Sequence, residues 1–359
     1  MIVSINASVF NNSLNNSDLN DLMHFFKKGK HRINLKKAED FSAFENSDWT
    51  KTLIKSDVDL LKESIGSIDK KEIIISDSSK EDEFNLKEAF YYLDQSIKII
   101  LEQIEYETPF ILKIIQEFDT TGKLIKALQK GWLEFYNGAG SNSESIIREK
   151  LTRNIATNQY FIKPLIKYLR FYEIKDSDRE YCTINLDGTV TQQVLPDSKT
   201  KFLEDNKIPY HILYKREKEN YMPDSIFNGL IHYQDKKKFV QVYLRLSPHQ
   251  KDFFDIEKGF SEKDTANNGR KIKDRTSLNV NIQNLYSNLT AEQYRNLGFG
   301  ISYPNFKSEF SKNFEKVSKI DLEKRIQHQQ PLLKSKVNPS DTTERNEFEH
   351  IIHEIKYLL

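Results

Sequence analysis

The stretch SIKIILEQIEYETPFILKII (Ser96–Ile115) decides the fold. Its first six residues are a short apolar run of strand length. Glu102 follows at once, and from Pro109 the apolar residues recur at helical spacing as far as Phe118, with the proline placed in the first helical turn. Strand, acid, helix is therefore the local reading. The same rhythm continues downstream: GWLEFY (Gly131–Tyr136), LRFYEI (Leu169–Ile174) and YHILY (Tyr210–Tyr214) alternate with helical segments at Lys123–Gln129, Ser143–Ile155, Phe161–Tyr168 and Thr200–Asp205. Strands separated by helix-sized connections lie parallel. The expectation is an α/β domain over residues 86–235, a mostly parallel sheet flanked by helices, with Asp187-Gly188 turning a short hairpin inside it.

Residues 1–85 mix short apolar pieces (Ile2–Ile5, Ile73–Ile75) with polar stretches and sustain no long helical period, so they read as a small N-terminal region of open fold. Residues 236–359 read as largely helical, with NNGRKIKDR (Asn267–Arg275) as their most loop-like and most basic part. The last helix is expected to start at an Asp341/Glu344 capping box. It carries Phe348, Ile351, Ile352, Ile355 and Leu358 on one face, to dock within the chain or on a second copy.

Composition bounds the function. Over 359 residues, 54 Lys and Arg nearly cancel 53 Asp and Glu, so no global field draws in a polyanion and any nucleic-acid site must be a local patch. The single Cys182 excludes an internal disulfide and disfavours a thiolate zinc site. The first residues lack the basic start and apolar run of an export signal, and no stretch has membrane-spanning length. The expected compartment is the cytoplasm, with no membrane partner.

Ligands of parallel α/β sheets gather beyond the carboxyl ends of the strands. There the chain places Glu102 after the first apolar run, Glu107 five residues on, Asp176 and Asp178 after the third, and Lys215, Arg216, Glu217 and Glu219 after the fourth. Carboxylates crowded at one sheet edge repel one another unless a cation neutralises them, and hard oxygen ligands suit Mg²⁺ or Mn²⁺. The chemistry this implies is phosphoryl transfer, with Lys215 or Arg216 stabilising the transition-state charge.

These positions resemble the Toprim domain: a Glu ending the first strand, the Asp-x-Asp of DSDRE (Asp176–Glu180), and KREKENYMPDSIF (Lys215–Phe227) after the fourth strand. The likeness is to the branch found in OLD-family nucleases and stand-alone bacterial defence effectors, over roughly 85–235. Two departures stand out. Glu102-Gln103 replaces the usual Glu-Gly, and the second acid is Glu107 rather than Asp. The resemblance implies a metal-dependent endonuclease with Glu102, Glu107, Asp176 and Asp178 as ligands to Mg²⁺ or Mn²⁺ and Lys215 as the basic helper. The overall layout is similar to the nuclease partner of PARIS-type anti-phage systems, which implies an ATPase partner and RNA, including transfer RNA, or DNA as the target. A primase-like nucleotidyl transferase and a non-catalytic interaction protein are the competing expectations.

Other conspicuous residues carry two readings each. Glu219 and Asn220 either position substrate or cap a helix entrance. Lys271 and Lys273, with Arg270 and Arg275, either contact a phosphate backbone or form a solvated face. The glycines of NGAGSN (Asn137–Asn142) either cradle a phosphate or make a tight turn, and the His350/His353 pair, one helical turn apart, either shares a metal or, the favoured reading, is a surface or interface pair. DTTGK (Asp119–Lys123) lacks the first glycine and the Ser/Thr of a P-loop.

Overall fold

The computed structural model describes residues 1–35, 37–63, 71–78, 80–138, 144–149, 163–266, 269–301, 306–326 and 330–359. Within them the chain is an α/β protein with two parallel sheets flanked by helices and a helical C-terminal region. The first sheet belongs to the N-terminal region: β1 (Ile2–Ile5), β2 (Arg32–Asn34), β3 (Glu72–Ile75) and β4 (Glu83–Phe84), in the order β2-β1-β3-β4 and parallel throughout. The absence of a long helical period there does not hold. Asn16–Lys27 is a helix of 12 residues that buries Leu19, Leu22, Met23 and Phe26 at one-turn spacings, a stripe hidden in the sequence by its asparagine-rich entrance.

The second sheet is the one expected from the apolar runs. β5 (Ile97–Leu101), β6 (Leu133–Asn137) and β7 (Phe171–Lys175) are followed by a separate antiparallel hairpin of β8 (Cys182–Ile184) and β9 (Val190–Gln192), and then by β10 (Tyr210–Ile212). The hairpin turns through Gly188 at φ 82°, as Asp187-Gly188 required. The sheet order is β10-β7-β5-β6, all parallel. Counted within its own unit, each sheet reads second, first, third, fourth strand. The order therefore reverses direction between the first and third strands, β5 and β7 here, and a crevice opens beyond their carboxyl ends.

Each sheet has its own apolar core. The N-terminal core includes Leu86, Ala89, Tyr92 and Leu93 of the helix Leu86–Asp94, so the passage from one sheet to the next falls between Asp94 and Ile97. The second core runs without a break from β5 into the C-terminal helices. One reason is the last helix, Glu347–Leu358. All five residues of its expected apolar face are buried, and Phe348 packs against Phe110, Phe118 and Tyr221 at ring separations of 5.3–6.0 Å. Its cap is Asn346 with Glu349, five residues beyond the expected box; Asp341 instead accepts the Thr343 N–H and pairs with Arg345. The end of this helix also clasps both sheets: the Arg170 guanidinium donates to Gln95 O and Leu358 O, and the Lys71 N–H to Tyr357 O.

Further expectations shift. The helix after β5 runs Ile104–Phe118, so Pro109 lies inside it rather than in its first turn. NNGRKIKDR is not all loop: β11 (Ser261–Asp264) and β12 (Gly269–Ile272) form an antiparallel hairpin, while Asn267 and Asn268 lie outside the described residues. The helical segment expected at Ser143–Ile155 is described only over 144–149, where it is helical, and that at Phe161–Tyr168 is a 3₁₀ turn at Leu165–Tyr168. Because the Phe348 ring joins three aromatic neighbours at zero exposure, Phe348→Ala is expected to cost about 3–5 kcal/mol in urea unfolding. A loss below about 1 kcal/mol would show that the helix does not hold this core together.

Candidate metal centre

Three carboxylates meet in the crevice between β5 and β7. Glu102 is the residue after β5, and Asp176 is the residue after β7. The two strands are paired neighbours in register, Leu101 beside Ile174, so their exits lie side by side. Glu107 arrives differently. It sits in the first turn of the helix Ile104–Phe118 and reaches back, its carboxylate accepting the Glu102 N–H at 2.9 Å and the Gln103 N–H at 3.2 Å. Those bonds satisfy donors at the helix entrance and fix the acid beside Glu102. One oxygen from each of Glu102, Glu107 and Asp176 lies within 4.8 Å of the others.

Gly138, from NGAGSN, supports the same corner. Its N–H donates to Leu101 O at 2.5 Å, and a Cβ there would stand only 2.8 Å from that oxygen, so the close approach requires glycine. This is the tight-turn reading of the motif; Gly140 lies outside the described residues.

The cation nearest the acids is Lys218. Its ammonium stands 3.3 Å from Glu219, 3.8 Å from Glu107 and 4.0 Å from Asp176, while its backbone N–H donates to Asp176 Oδ1 at 3.1 Å. Burial alone would depress this ammonium, but Glu219, Asp176, Glu107 and Glu217 outweigh it and hold the lysine above its ordinary value. Lys307 acts on Glu219 and Glu217 and Arg216 stands beside Glu217, yet several of the acids remain raised. Burial, reinforced by Glu102 against the pull of Lys218, pushes Glu107 up to about 7. Burial also lifts Asp176 well above the carboxylate range, with Glu107, Glu219 and Glu217 adding to the rise against Lys218. Glu217 is raised to about 7 by burial and by Glu219. Glu219 is 1 % exposed, and neither of its carboxylate oxygens has a hydrogen-bond partner among the described residues.

The other sequence-predicted residues fall elsewhere. Asp178 is outside the cluster: its backbone takes a left-handed φ of 54°, which turns the side chain outward, where it is 59 % exposed and pairs with Lys199 at 2.5 Å. Lys215 is also displaced from the expected role. Its fully buried ammonium pairs with Asp252 at 2.6 Å over the Tyr221 ring, and burial together with Arg325 lowers it to about 7. Arg216 pairs with Asp255 at 3.0 Å and lies near Glu217 and Glu180. Asn220 has the capping role: its side-chain amide donates to Lys251 O and Phe254 O and its oxygen accepts the Glu217 N–H. Lys271, on β12, is 58 % exposed and 3.4 Å from Glu262, and Lys273 lines a groove with Arg216 and Arg270. Lys218 is the residue that sequence reasoning missed; it lay in the quoted KREKENYMP segment, three positions beyond the lysine chosen.

The donor set suits a hard divalent cation. Two oxygens on opposite sides of an ion bound at about 2.1–2.4 Å are about 4.2–4.8 Å apart, and the three carboxylate oxygens here, all within 4.8 Å of one another, lie within that reach. The raised carboxyls, and Glu219 with its carboxylate ion-paired to Lys218 but accepting no hydrogen bond among the described residues, add local negative charge. Comparison of the chain with protein-family models, curated proteins and solved structures finds no match.

The electrostatics make a pH test. A carboxyl whose folded pKa exceeds its unfolded value withdraws stability as pH rises through the interval between the two, here 4.5 to about 7 for Glu107. Buried His350, lowered to about 3, acts in the opposite sense, so the informative quantity is a difference between proteins. Without divalent cations, Glu107→Gln should gain on the native chain across that interval, by on the order of 3 kcal/mol in urea unfolding. A pH-independent difference would contradict the raised Glu107.

Proposed function

We propose that this protein is a divalent-cation-dependent nuclease whose second sheet is a Toprim-like catalytic domain. The observation that carries this reading is the convergence of Glu102, Glu107 and Asp176 on one point at the crevice of a parallel sheet. Glu102, Glu107 and Asp176 would hold Mg²⁺ or Mn²⁺. Such an ion lowers the pKa of a bound water and neutralises charge on a phosphodiester under attack.

The chain's own residues do the rest. The Glu102 and Gln103 N–H groups orient Glu107, and the Lys218 backbone orients Asp176. Lys218, 1 % exposed, is too deep to meet a polymer and serves instead to hold Glu107, Asp176 and Glu219 together. Glu102, half-buried, is the member of the triad open to solvent, so substrate approaches from its side. The extension to a toxic anti-phage effector under an ATPase partner, acting on RNA or DNA, rests on the sequence resemblance.

Incubation with Mn²⁺ or Mg²⁺ and a panel of transfer RNA, single-stranded RNA, plasmid and linear DNA tests this. Glu102→Gln and Asp176→Asn are expected to lose cleavage by about 100-fold or more, whereas Asp178→Asn, whose carboxylate faces Lys199, should stay within about threefold. Equal activity in the triad variants would remove these acids from the chemistry. A stronger loss in Asp178→Asn than in Asp176→Asn would restore the Asp-x-Asp ligand pair.

A further inference from the structure

A cavity of about 320 Å³ lies away from the triad and shares no lining residue with it. Its walls come from β10, β9, the last helix and the segment around Gln330–Lys336. Into this cavity faces His350, 1 % exposed, with neither ring nitrogen hydrogen-bonded among the described residues. Gln330 lines the same space, and both atoms of its carboxamide are buried and equally without a partner. A buried polar group without a partner costs on the order of 1–3 kcal/mol, and four such atoms on one cavity call for something to bond.

The charge of the lining says what kind of ligand. Arg179, Lys334 and Lys336 face the space against a single lining carboxylate, Glu347, with Lys334 also 3.7 Å from Glu344 outside it. That carboxylate is already used: it accepts from His211 Nε2 at 2.9 Å, the Tyr214 N–H at 2.7 Å and the Tyr221 hydroxyl at 2.6 Å. Arg179 gives Nε and Nη1 to backbone carbonyls, so Nη2 remains, and neither Arg179 nor Lys336 forms an ion pair among the described residues. An anionic group is the matching partner, since a guanidinium and an ammonium converge on phosphate oxygens. The rest of the wall suits a planar heteroaromatic ring. The His211 and His350 rings lie 5.4 Å apart, Tyr210 stands under the Lys336 ammonium, and the lining includes a neutral imidazole and a carboxamide, each with a donor and an acceptor. His350 stays neutral because burial, followed by His211 and Lys336, lowers it to about 3. At about 320 Å³ the cavity is at the small end of ligand sites, ~300–1,000 Å³.

We propose that this cavity binds a phosphorylated ligand of nucleoside monophosphate size, its phosphate on Arg179 and Lys336 and its base edge on His350 and Gln330. The wall is joined to the acid site by covalent and hydrogen-bonded structure: Glu347 holds Tyr221, which closes the Lys218–Tyr221 turn.

Thermal unfolding of the full chain in EDTA, which keeps cations from the triad, tests the site with adenosine monophosphate, guanosine monophosphate, adenosine and orthophosphate. At least one of the two nucleotides should raise Tm by several degrees in a saturable way, adenosine should give little, and orthophosphate less than the nucleotide. His350→Leu, near in shape and free of polar atoms, should melt at or above the native temperature without ligand and lose the nucleotide shift. Lys336→Met should lose most of it. No shift with either nucleotide, the same shift in both variants, or an equal shift with orthophosphate alone would overturn the proposal.

Discussion

The second half of this molecule is organised around an imbalance of buried charge. Lys218 sits among Glu107, Asp176, Glu217 and Glu219, and the fold buries them where β5 and β7 part. Buried carboxylates on this scale repel one another and lose hydration, and Lys218, with Arg216 beside Glu217 and Lys307 acting on Glu219 and Glu217, does not restore both. Without a divalent ion, burial and mutual repulsion push Glu107, Asp176 and Glu217 toward the protonated form. A divalent ion would resolve the same imbalance by replacing protons with positive charge.

The surrounding structure keeps that arrangement in place. Tyr221 and Asn220 close the 3₁₀ turn that presents Lys218 and Glu219. Tyr221 is tied to Glu347 of the last helix, and Asn220 to the carbonyls of Lys251 and Phe254. The Lys215–Asp252 pair, fully buried, fastens the same segment from below, with Arg325 3.4 Å from Asp252. The C-terminal helices are therefore part of the construction of the crevice, which is why the apolar core passes from the sheet into them without interruption.

Much of this could be read from the chain. The four apolar runs became four parallel strands; the signal is strongest for the central β5 and β7, whose burial needs near-continuous Ile, Leu, Phe and Tyr. The acids directly after β5 and β7 were likewise legible, since position relative to a strand end fixes where a side chain emerges. Side-chain direction in irregular backbone was not. Asp178 is two residues past its strand, and a left-handed φ sends it to solvent. Lys215 and Lys218 are equally placed in sequence; only the distant Asp252, which captures the first, and the 3₁₀ turn, which aims the second, distinguish them. The N-terminal sheet escaped notice because its strands are two to four residues long, too short for periodicity to register.

A direct measurement is anomalous diffraction from crystals soaked in Mn²⁺. A cation centre in this crevice requires a peak within about 2.1–2.4 Å of oxygens from Glu102, Glu107 and Asp176, with Asp178 still turned toward Lys199. A crystal whose Mn²⁺ peaks all lie elsewhere, with the three carboxylates protonated and bonded to one another, would contradict the account at its centre.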